Sequence, residues 1–340
     1  MCKWYLRPGE QKDVAVSSRI RLARNLKGMP FPNKMTPEQK YEVIQKVSDA
    51  LLQSGDPAAA DFKFIDMDKI SRNEAYAMAE RHLISPDFAE NGQGRALLLN
   101  TDESVSIMIN EEDHIRIQVL AAGLQLEQAY QKADQIDTLL EQRLQFAFDT
   151  NLGYLTECPT NLGTGMRACV MVHIPALEAM GAVPQLANTI SKIGLTMRGT
   201  YGEGSEVKCA MYQISNQITL GISEKAAIDN LSAMIKQILA RERQARQGID
   251  HDKLEDMVFR ALGLLRSARM ISGDEFLGLA SKLRLGIGMG IITEVPIETV
   301  DALILTCRPA ALQSEAGGAL DAESRDKLRA RKVRQQLNQQ

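Results

Sequence analysis

The sequence predicts an α+β protein: a mostly antiparallel sheet flanked by helices, followed by an all-α C-terminal domain. Through about residue 225, short β-type runs occur at irregular spacing without regular alternation of strand and helix, which favours an antiparallel or mixed sheet. After Gly221 the chain instead shows successive amphipathic helices. Its length of 340 residues also suggests about two domains.

The predicted elements follow from local patterns. Helical periodicity covers residues 37–53, 69–81 and 124–148, and Thr36 with Pro37 is typical of a helix start. From the change to successive helices after Gly221 we predict one domain over residues 1–225 and a helical domain over residues 226–340. The β-type runs lie at residues 62–65, 96–99, 104–109, 115–120, 169–174 and 211–214.

Composition excludes several classes of protein. Charged residues make up 24% of the chain and the formal net charge is −3, which argues against direct nucleic-acid binding. No apolar run reaches the roughly 18 residues that span a membrane, and no apolar signal core follows Met1, so we expect a cytoplasmic protein. Five cysteines without a CxxC pair and four scattered histidines predict neither disulfides nor a protein-formed metal site.

A charged cluster, Asn-Glu-Glu-Asp-His-Ile-Arg, occupies residues 110–116 directly after an alternating apolar run. This pattern predicts a strand end beside a cleft. Glu111 and Glu112 can act as a base or orient a cationic substrate, while Arg116 suits a phosphate. The alternative interpretation is an exposed turn.

Two arginines lie two positions apart in a predicted strand. Arg19 and Arg21 would face one side of it, and Ile20 and Leu22 the other. Two guanidinium forks on one side can clamp a polyphosphate. Surface arginines that pair with acidic neighbours remain an equally open interpretation.

Two glycine-bearing loops carry further candidates. Residues 158–167 combine Cys158, a thiol that guanidinium groups can hold as thiolate, with glycines and Arg167. A plain turn would explain the glycines alone. Residues 198–206 place Arg198 and Glu203 among glycines, which is typical either of a lid over a substrate or of a mobile surface loop.

Neither a GxxxxGK[ST] loop nor an HRD/DFG set is present, so a bound nucleotide would be gripped by arginines. The segments SSRIR, NEEDHIR, CPTNLGTGMR and RGTYGEGSE, in this order, resemble the phosphagen (guanidino) kinases. They are most similar to the bacterial protein-arginine kinase (McsB) branch. The RDxxRA signature of that branch matches residues 325–330.

This resemblance implies the guanidino-kinase catalytic fold and a set of site residues. Glu112 would be the principal base, Glu111 and Glu203 would assist it, and Cys158 would add negative charge as a thiolate. An allosteric phosphoarginine pocket is implied at Arg325, Asp326, Lys327, Leu328, Arg329 and Ala330. ATP contacts, together with Mg²⁺, are implied at Ser17, Ser18, Arg19, Ile20, Arg21, His82, Arg116, Arg167, Ala168, Cys169, Val170, Met171, Arg198, Gly199, Thr200, Tyr201, Gly202 and Glu203.

The function implied by the resemblance is transfer of the ATP γ-phosphoryl group to arginine residues in proteins, which marks them for Clp-type degradation and regulates the heat-shock response. The implied partners are protein substrates with exposed arginines, a zinc-binding activator protein, a heat-shock repressor, a ClpC-type unfoldase and a second copy in a homodimer. Two alternatives stay open: a kinase for a small free guanidine, or a catalytically silent adaptor that binds phosphoarginine.

Overall fold

An antiparallel sheet lies at the centre of the protein in the computed structural model, which describes residues 2–199 and 209–338. The described strands are β1 Ala15–Arg24, β2 Phe62–Asp66, β3 Ala96–Asn100, β4 Val105–Ile109, β5 Ile115–Ala122, β6 Phe148–Asp149, β7 Gly153–Tyr154, β8 Met166–His173, β9 Leu195–Arg198 and β10 Met211–Asn216. Eight of them form one sheet in the order β2-β3-β4-β5-β1-β8-β10-β9, and β6 pairs with β7 in a separate hairpin. Every adjacent pair is antiparallel, so the predicted fold class is confirmed.

Helices flank the sheet and then form the C-terminal part of the chain. The described α-helices are α1 Pro37–Leu52, α2 Arg72–Glu80, α3 Pro86–Glu90, α4 Leu126–Glu141, α5 Pro175–Ala179, α6 Val183–Ser191, α7 Glu224–Gln247, α8 His251–Ser267, α9 Gly273–Gly288, α10 Ile297–Thr306, α11 Pro309–Glu315 and α12 Ala322–Asn338. No helix in the described ranges is long and apolar enough to cross a membrane.

One face of the sheet is apolar and covered by α1, α4 and α7. Alternation along the strands puts Ile20, Ile117 and Val170 on this face, each fully buried. Burial of one such side chain stabilises the fold by about 1.5–3 kcal/mol. The large core on this face leaves the opposite face of the same strands free to carry polar groups.

The start of α1 was predicted correctly, whereas the end of α4 was not. The Thr36 hydroxyl accepts from the Gln39 N–H and the Gln39 side chain accepts from the Thr36 N–H, which forms a capping box at the predicted start of α1. The helix predicted over residues 124–148 is wrong beyond Glu141. There the chain turns and bonds to the segment after β1, with Ala147 N–H donating to Asn25 O at 2.7 Å.

The C-terminal helices build a second core. Most of its apolar residues lie from Leu254 in α8 onward, and Met171 of β8 and Met211 of β10 join them, whereas α7 contributes Ile228 and Leu231 to the core under the sheet. The domain boundary near residue 225 stays a prediction. Arg284 of α9 is fully buried and fastens this part to the chain before β1, since its guanidinium donates to Lys12 O at 2.7 Å.

Candidate active site

Six arginines line a single cavity of about 500 Å³ on the polar face of the sheet, and all of them except Arg95 were predicted as phosphate contacts. Arg19 and Arg21 share this face of β1, as the two-residue spacing predicted. The strand register then sets Arg167 on β8 directly opposite Arg21. Arg116 on β5 and Arg198 at the end of β9 complete the group.

The positive charges of these guanidinium groups repel one another, which lowers the pKa of some of them. Burial lowers the pKa of Arg21, and Arg19, Arg116 and Arg167 lower it further. Burial and Arg198 also lower the pKa of Arg167. The Nε atoms of Arg19 and Arg21 are buried without a hydrogen-bond partner among the described residues. Such a group of cations is suited to a polyanion, since phosphate oxygens would supply both the acceptors and the opposite charge.

Two carboxylates lie at the turn between β4 and β5, where they line the same cavity. The oxygens of Glu111 lie 2.5 Å from Arg116 Nη1 and 2.5 Å from Ser85 Oγ, and only 8% of this residue is exposed. Glu112 accepts from Arg116 Nη2 at 2.7 Å, yet 38% of its side chain is exposed. Burial alone would lower the pKa of Arg116, but Glu111, Glu112 and Asp113 outweigh it and raise the pKa. Glu111 is thus fixed, whereas Glu112 is open to a second ligand.

Buried hydrogen bonds hold this turn in place. Asp113 Oδ1 accepts from Asn25 Nδ2 at 2.6 Å and from Glu157 N–H at 2.8 Å. His114 N–H donates to Asn25 Oδ1 at 2.9 Å, and His114 Nδ1 accepts from Leu26 N–H at 2.9 Å. The carboxylate turn is therefore tied both to the end of β1 and to the loop that contains Cys158.

His82 lies at the boundary between this cavity and a smaller one of about 40 Å³. Its backbone has a positive φ of 61°, and its carbonyl accepts from Gln118 Nε2 at 2.8 Å. Burial, Arg19 and Arg308 together lower the pKa of His82 to about 3, so the imidazole is neutral near pH 7. Only the family resemblance pointed to this residue, because a lone histidine after a helix carries no local signal.

Cys158 lies in the loop that precedes β8 and does not line the cavity itself. Its Sγ is 3.1 Å from Thr160 Oγ1. In the same loop Asn161 Oδ1 accepts from Arg167 Nη2 at 3.4 Å. The thiol also acts electrostatically on Arg167, more weakly than burial and Arg198 do, so the two side chains are neighbours.

The other predicted nucleotide contacts lie on two different faces of the sheet. Ser17 and Met171 line the smaller cavity, and Cys169 lies on the arginine-bearing face of β8, with Sγ 3.8 Å from Gln213 Oε1. The side chains of Ile20, Ala168 and Val170 lie in the core of the opposite face, and Ser18 Oγ donates to Gly123 O; none of these four lines either cavity.

The sequence interpretation missed several polar residues of the cavity, and two of them bond predicted site residues. The missed residues are Ser85, Asp87, Arg95, Gln118, Gln213 and Ser215. Gln213 Oε1 accepts from Arg19 Nη2 at 2.8 Å, and Ser85 bonds Glu111. The alternation of Gln213 with apolar Tyr212 and Ile214 places it on the polar face and was a usable signal. Ser85, before Pro86, has the pattern of a helix cap only; its Oγ does accept from Phe88 N–H.

Part of the predicted site lies outside the described residues. Gly199 follows β9, but Thr200, Tyr201, Gly202 and Glu203 are not among the residues that the structure describes. The role of Glu203 therefore stays a prediction.

The RDxxRA segment lies on α12. Arg329 is only 2% exposed; its Nε donates to Cys307 O at 3.0 Å, and its Nη1 donates to Ile271 O at 2.8 Å and to Asp326 Oδ1 at 2.6 Å. Arg325 is half-buried, and its Nη1 donates to Leu320 O at 2.7 Å. Arg329 thus has a structural role, and Arg325 is the more accessible guanidinium of the motif.

The described residues contain no group of three or more histidine, cysteine or acidic side chains that could hold a metal ion. Glu111 has both oxygens engaged by Ser85 and Arg116. A divalent cation at this site would therefore depend on ligands brought by a bound phosphate substrate.

Two family descriptions match the chain. Residues 42–245 match "ATP:guanido phosphotransferase, C-terminal catalytic domain". Residues 251–340 match "Protein-arginine kinase McsB C-terminal domain". The two matches meet where the structure changes from the first core to the second.

Similar curated proteins cover nearly the whole chain. "Protein-arginine kinase" of Halothermothrix orenii is 46% identical over 338 residues, which are 98% of this chain and 96% of that protein. "Protein-arginine kinase" of Caldanaerobacter subterraneus subsp. tengcongensis is 46% identical over 96% of this chain and 98% of its own length. The protein of the same name from Clostridium acetobutylicum is 41% identical over 99% of this chain and 100% of its length.

Solved structures share the fold. Lombricine kinase aligns with a TM-score of 0.62 and 24% identity over 71% of this chain and 70% of that chain. The duplicated taurocyamine kinase from Schistosoma mansoni, with bound transition state analog components, aligns with a TM-score of 0.61 and 25% identity over 78% of this chain and 38% of that chain.

Proposed function

Because this chain belongs to the protein-arginine kinase family, within the ATP:guanido phosphotransferases, we propose that it transfers the γ-phosphoryl group of ATP to the guanidinium of arginine residues in proteins. The observation that supports this most directly is the shared cavity, which the five predicted arginines line together with Arg95, Glu111 and Glu112.

The arginines would bind the triphosphate. Arg21 and Arg167 have lowered pKa values because burial and other cations disfavour their charge, and phosphate oxygens would reverse that effect. Charge-assisted hydrogen bonds to phosphate are about twice as strong as neutral ones. Neutral His82, between the main cavity and the smaller one that Ser17 and Met171 line, would contact the nucleoside end of ATP.

Glu112 would bind the acceptor. The arginine guanidinium is protonated near pH 7 and is a poor nucleophile until it loses a proton. In the proposed step Glu112 accepts that proton while the nitrogen lone pair forms the N–P bond. The bond between the γ-phosphorus and the β,γ-bridging oxygen breaks, and ADP leaves with that electron pair. Five arginines facing the phosphates would stabilise the charge on the transferring group, so positioning and electrostatics provide most of the catalysis.

Glu111 and Cys158 would have supporting roles. Glu111 fixes Arg116 and is itself fixed by Ser85, so we assign it to positioning rather than to proton transfer. Cys158 lies beside Arg167 and would act on the acceptor nitrogen through its charge as a thiolate. Mg²⁺ would enter as part of the MgATP substrate, since the described residues offer no metal site of their own, and no step is assigned to it.

The wider role is proposed from the resemblance alone. It comprises marking proteins for Clp-type degradation and regulating the heat-shock response in the cytoplasm. The proposed partners are a zinc-binding activator protein, a heat-shock repressor, a ClpC-type unfoldase and a second copy in a homodimer. The proposed regulatory site is a phosphoarginine pocket at residues 325–330.

The test is mass spectrometry, under conditions that preserve N–P bonds, of a denatured model protein incubated with this protein and MgATP. We expect phosphoarginine on the model protein and little product from free arginine; the reverse preference would identify a kinase for a small guanidine. Glu112→Gln should abolish transfer with nearly unchanged ATP affinity, because Glu112 faces the acceptor. Glu127→Gln, at an exposed position in the first turn of α4, is the matched control.

A further inference from the structure

An exposed apolar patch lies on the β6–β7 hairpin and on the segment before α7. Phe148, Leu152 and Leu220 are 58%, 43% and 48% exposed. Together with half-buried Tyr154 they line one surface cavity of about 350 Å³, and we call these four residues the hairpin patch. The Phe148 and Tyr154 rings meet edge to face, with centroids 5.2 Å apart. A contiguous group of large exposed apolar side chains marks a surface that binds something.

The hairpin patch is hydrogen-bonded to the loop of residues 158–167. Tyr154 N–H donates to Gly163 O at 2.8 Å. On the other side, Thr219, next to Leu220, donates through Oγ1 to Thr160 O at 3.0 Å. Both segments that carry the patch are therefore fixed to the loop that contains Cys158.

Chain length bounds the distance from the patch to Cys158, and the preceding Glu157 donates its N–H at 2.8 Å to Asp113, next to Glu112. Tyr154 is four residues before Cys158, so their Cα atoms are at most about 14 Å apart. Phe148 pairs with Tyr154 across the hairpin, which adds about 5 Å. An extended peptide covers about 20 Å with six residues. A peptide whose arginine occupies the acceptor site can therefore reach the patch with side chains up to about six residues away.

The charge at the acceptor end of the cavity indicates the same kind of ligand. Asp87 and Glu112 both line the cavity, Asp87 is exposed and Glu112 is half-buried, and Glu157 is close enough to Glu112 for their charges to interact. An anionic mouth attracts a cationic segment. The apolar patch, which is hydrogen-bonded to the loop after Glu157, fits apolar side chains on the same polypeptide.

We propose that the hairpin patch docks apolar side chains about four to six residues from the acceptor arginine in an extended segment of a substrate protein. This inference rests on the proposed function, because it requires that the acceptor arginine belong to a polypeptide. Since such side chains are usually buried in folded proteins, docking here would favour arginines in unfolded segments.

The experiment compares two synthetic peptides as substrates of the full-length protein. Each peptide has one arginine in a glycine-serine background; the apolar peptide has leucines five and six residues from the arginine on both sides, and the polar peptide has serines there. We expect the kcat/KM of the unmodified protein to be about tenfold higher for the apolar peptide. Phe148→Ser and Leu220→Ser should remove most of this difference and leave the polar peptide unaffected.

The matched control is Phe259→Ser on α8, where the phenylalanine is 48% exposed but belongs to the helical C-terminal part. This variant should keep the preference for the apolar peptide. Equal kcat/KM of the unmodified protein for both peptides would contradict the proposed docking surface. An equal loss of kcat/KM for both peptides in Phe148→Ser would contradict it as well. A changed sedimentation coefficient in Phe148→Ser with an unchanged peptide preference would show an interface between copies and also overturn it. If the unmodified protein phosphorylates neither peptide, the proposed function has failed instead.

Discussion

Arg21 on β1 and Arg167 on β8 lie directly opposite each other in the antiparallel register of the central sheet. Like charges at facing positions destabilise a sheet. The protein nevertheless keeps both guanidinium groups in a cavity with four further arginines, and its stability comes from the apolar core on the other face of the same strands. The repulsion between Arg21 and Arg167 therefore opposes folding, and the apolar core outweighs it.

Arg167→Met should separate nucleotide binding from stability. Loss of one phosphate fork should weaken binding of a nonhydrolysable ATP analogue by about tenfold or more, since a charged hydrogen bond contributes about 1.5–3 kcal/mol. The melting temperature without ligand should stay the same or rise, because one of two repelling cations is gone. Titration calorimetry and thermal unfolding measure the two effects.

The matched control is Arg143→Met, which removes an exposed guanidinium after α4, away from the site. It should leave nucleotide affinity unchanged. Unchanged affinity in Arg167→Met as well would mean that Arg167 does not contact the nucleotide, and the phosphate clamp would have to be reassigned to other residues.

Glu111→Gln should behave differently from Glu112→Gln. Glu111 positions Arg116 through a 2.5 Å contact, so the variant should misplace that guanidinium and lower kcat/KM for ATP by about ten- to a hundredfold. Measurable transfer should remain, because Glu112 is intact. Steady-state kinetics with varied ATP tests this; complete loss of transfer with normal ATP binding would instead make Glu111 the base.

Most strands of the sheet could be predicted from the sequence, because the alternation of apolar and polar residues is a local signal. Alternation located the strands and put Arg19 and Arg21 on one side, away from Ile20 and Leu22. The helix predicted to reach residue 148 failed, since Leu144 and Phe146 are buried through pairing with the chain after β1, a long-range contact that periodicity does not encode.

The site was less predictable, because it depends on strand order. Nothing local places β1 between β5 and β8, and this order brings Arg116, Arg21 and Arg167 to one cavity. The bonds from Gln213 to Arg19 and from Ser85 to Glu111 also join distant segments. The residue types could therefore suggest the chemistry, but only the fold shows that these distant residues meet in one cavity.

Arg329 and Arg325 of α12 should respond differently to substitution. Arg329→Met leaves the carbonyls of Cys307 and Ile271 without their donor, so it should destabilise the C-terminal helices by about 3 kcal/mol. Arg325→Met removes one bond to Leu320 O and should cost about 1 kcal/mol. Urea unfolding measures both changes in the free energy of unfolding.

The milder variant then tests the proposed regulatory pocket. Arg325→Met should fold normally and retain basal transfer, yet lose activation by added phosphoarginine. Full activation in this variant would exclude the accessible guanidinium of the motif from ligand binding, and the pocket proposed from the resemblance would lose its main support.

His114 should make the protein less stable in mild acid. Its Nδ1 accepts from Leu26 N–H at 2.9 Å and its Nε2 lies 2.8 Å from Pro30 O, so both ring nitrogens have partners only when the imidazole is neutral and carries its proton on Nε2. Burial lowers the pKa of His114, although the bond to Pro30 opposes this.

Below about pH 6.5 the unfolded chain therefore binds a proton that the folded protein excludes, and the free energy of unfolding falls as pH falls. Between pH 7.5 and 5.5 the free energy of unfolding should therefore fall, and His114→Asn should make this fall smaller in urea unfolding. The exposed His251 provides the control: His251→Asn should keep the original slope. Ring ¹⁵N chemical shifts should show that Nδ1 of His114 carries no proton near pH 7 in the folded protein, and a protonated Nδ1 there would contradict the assignment.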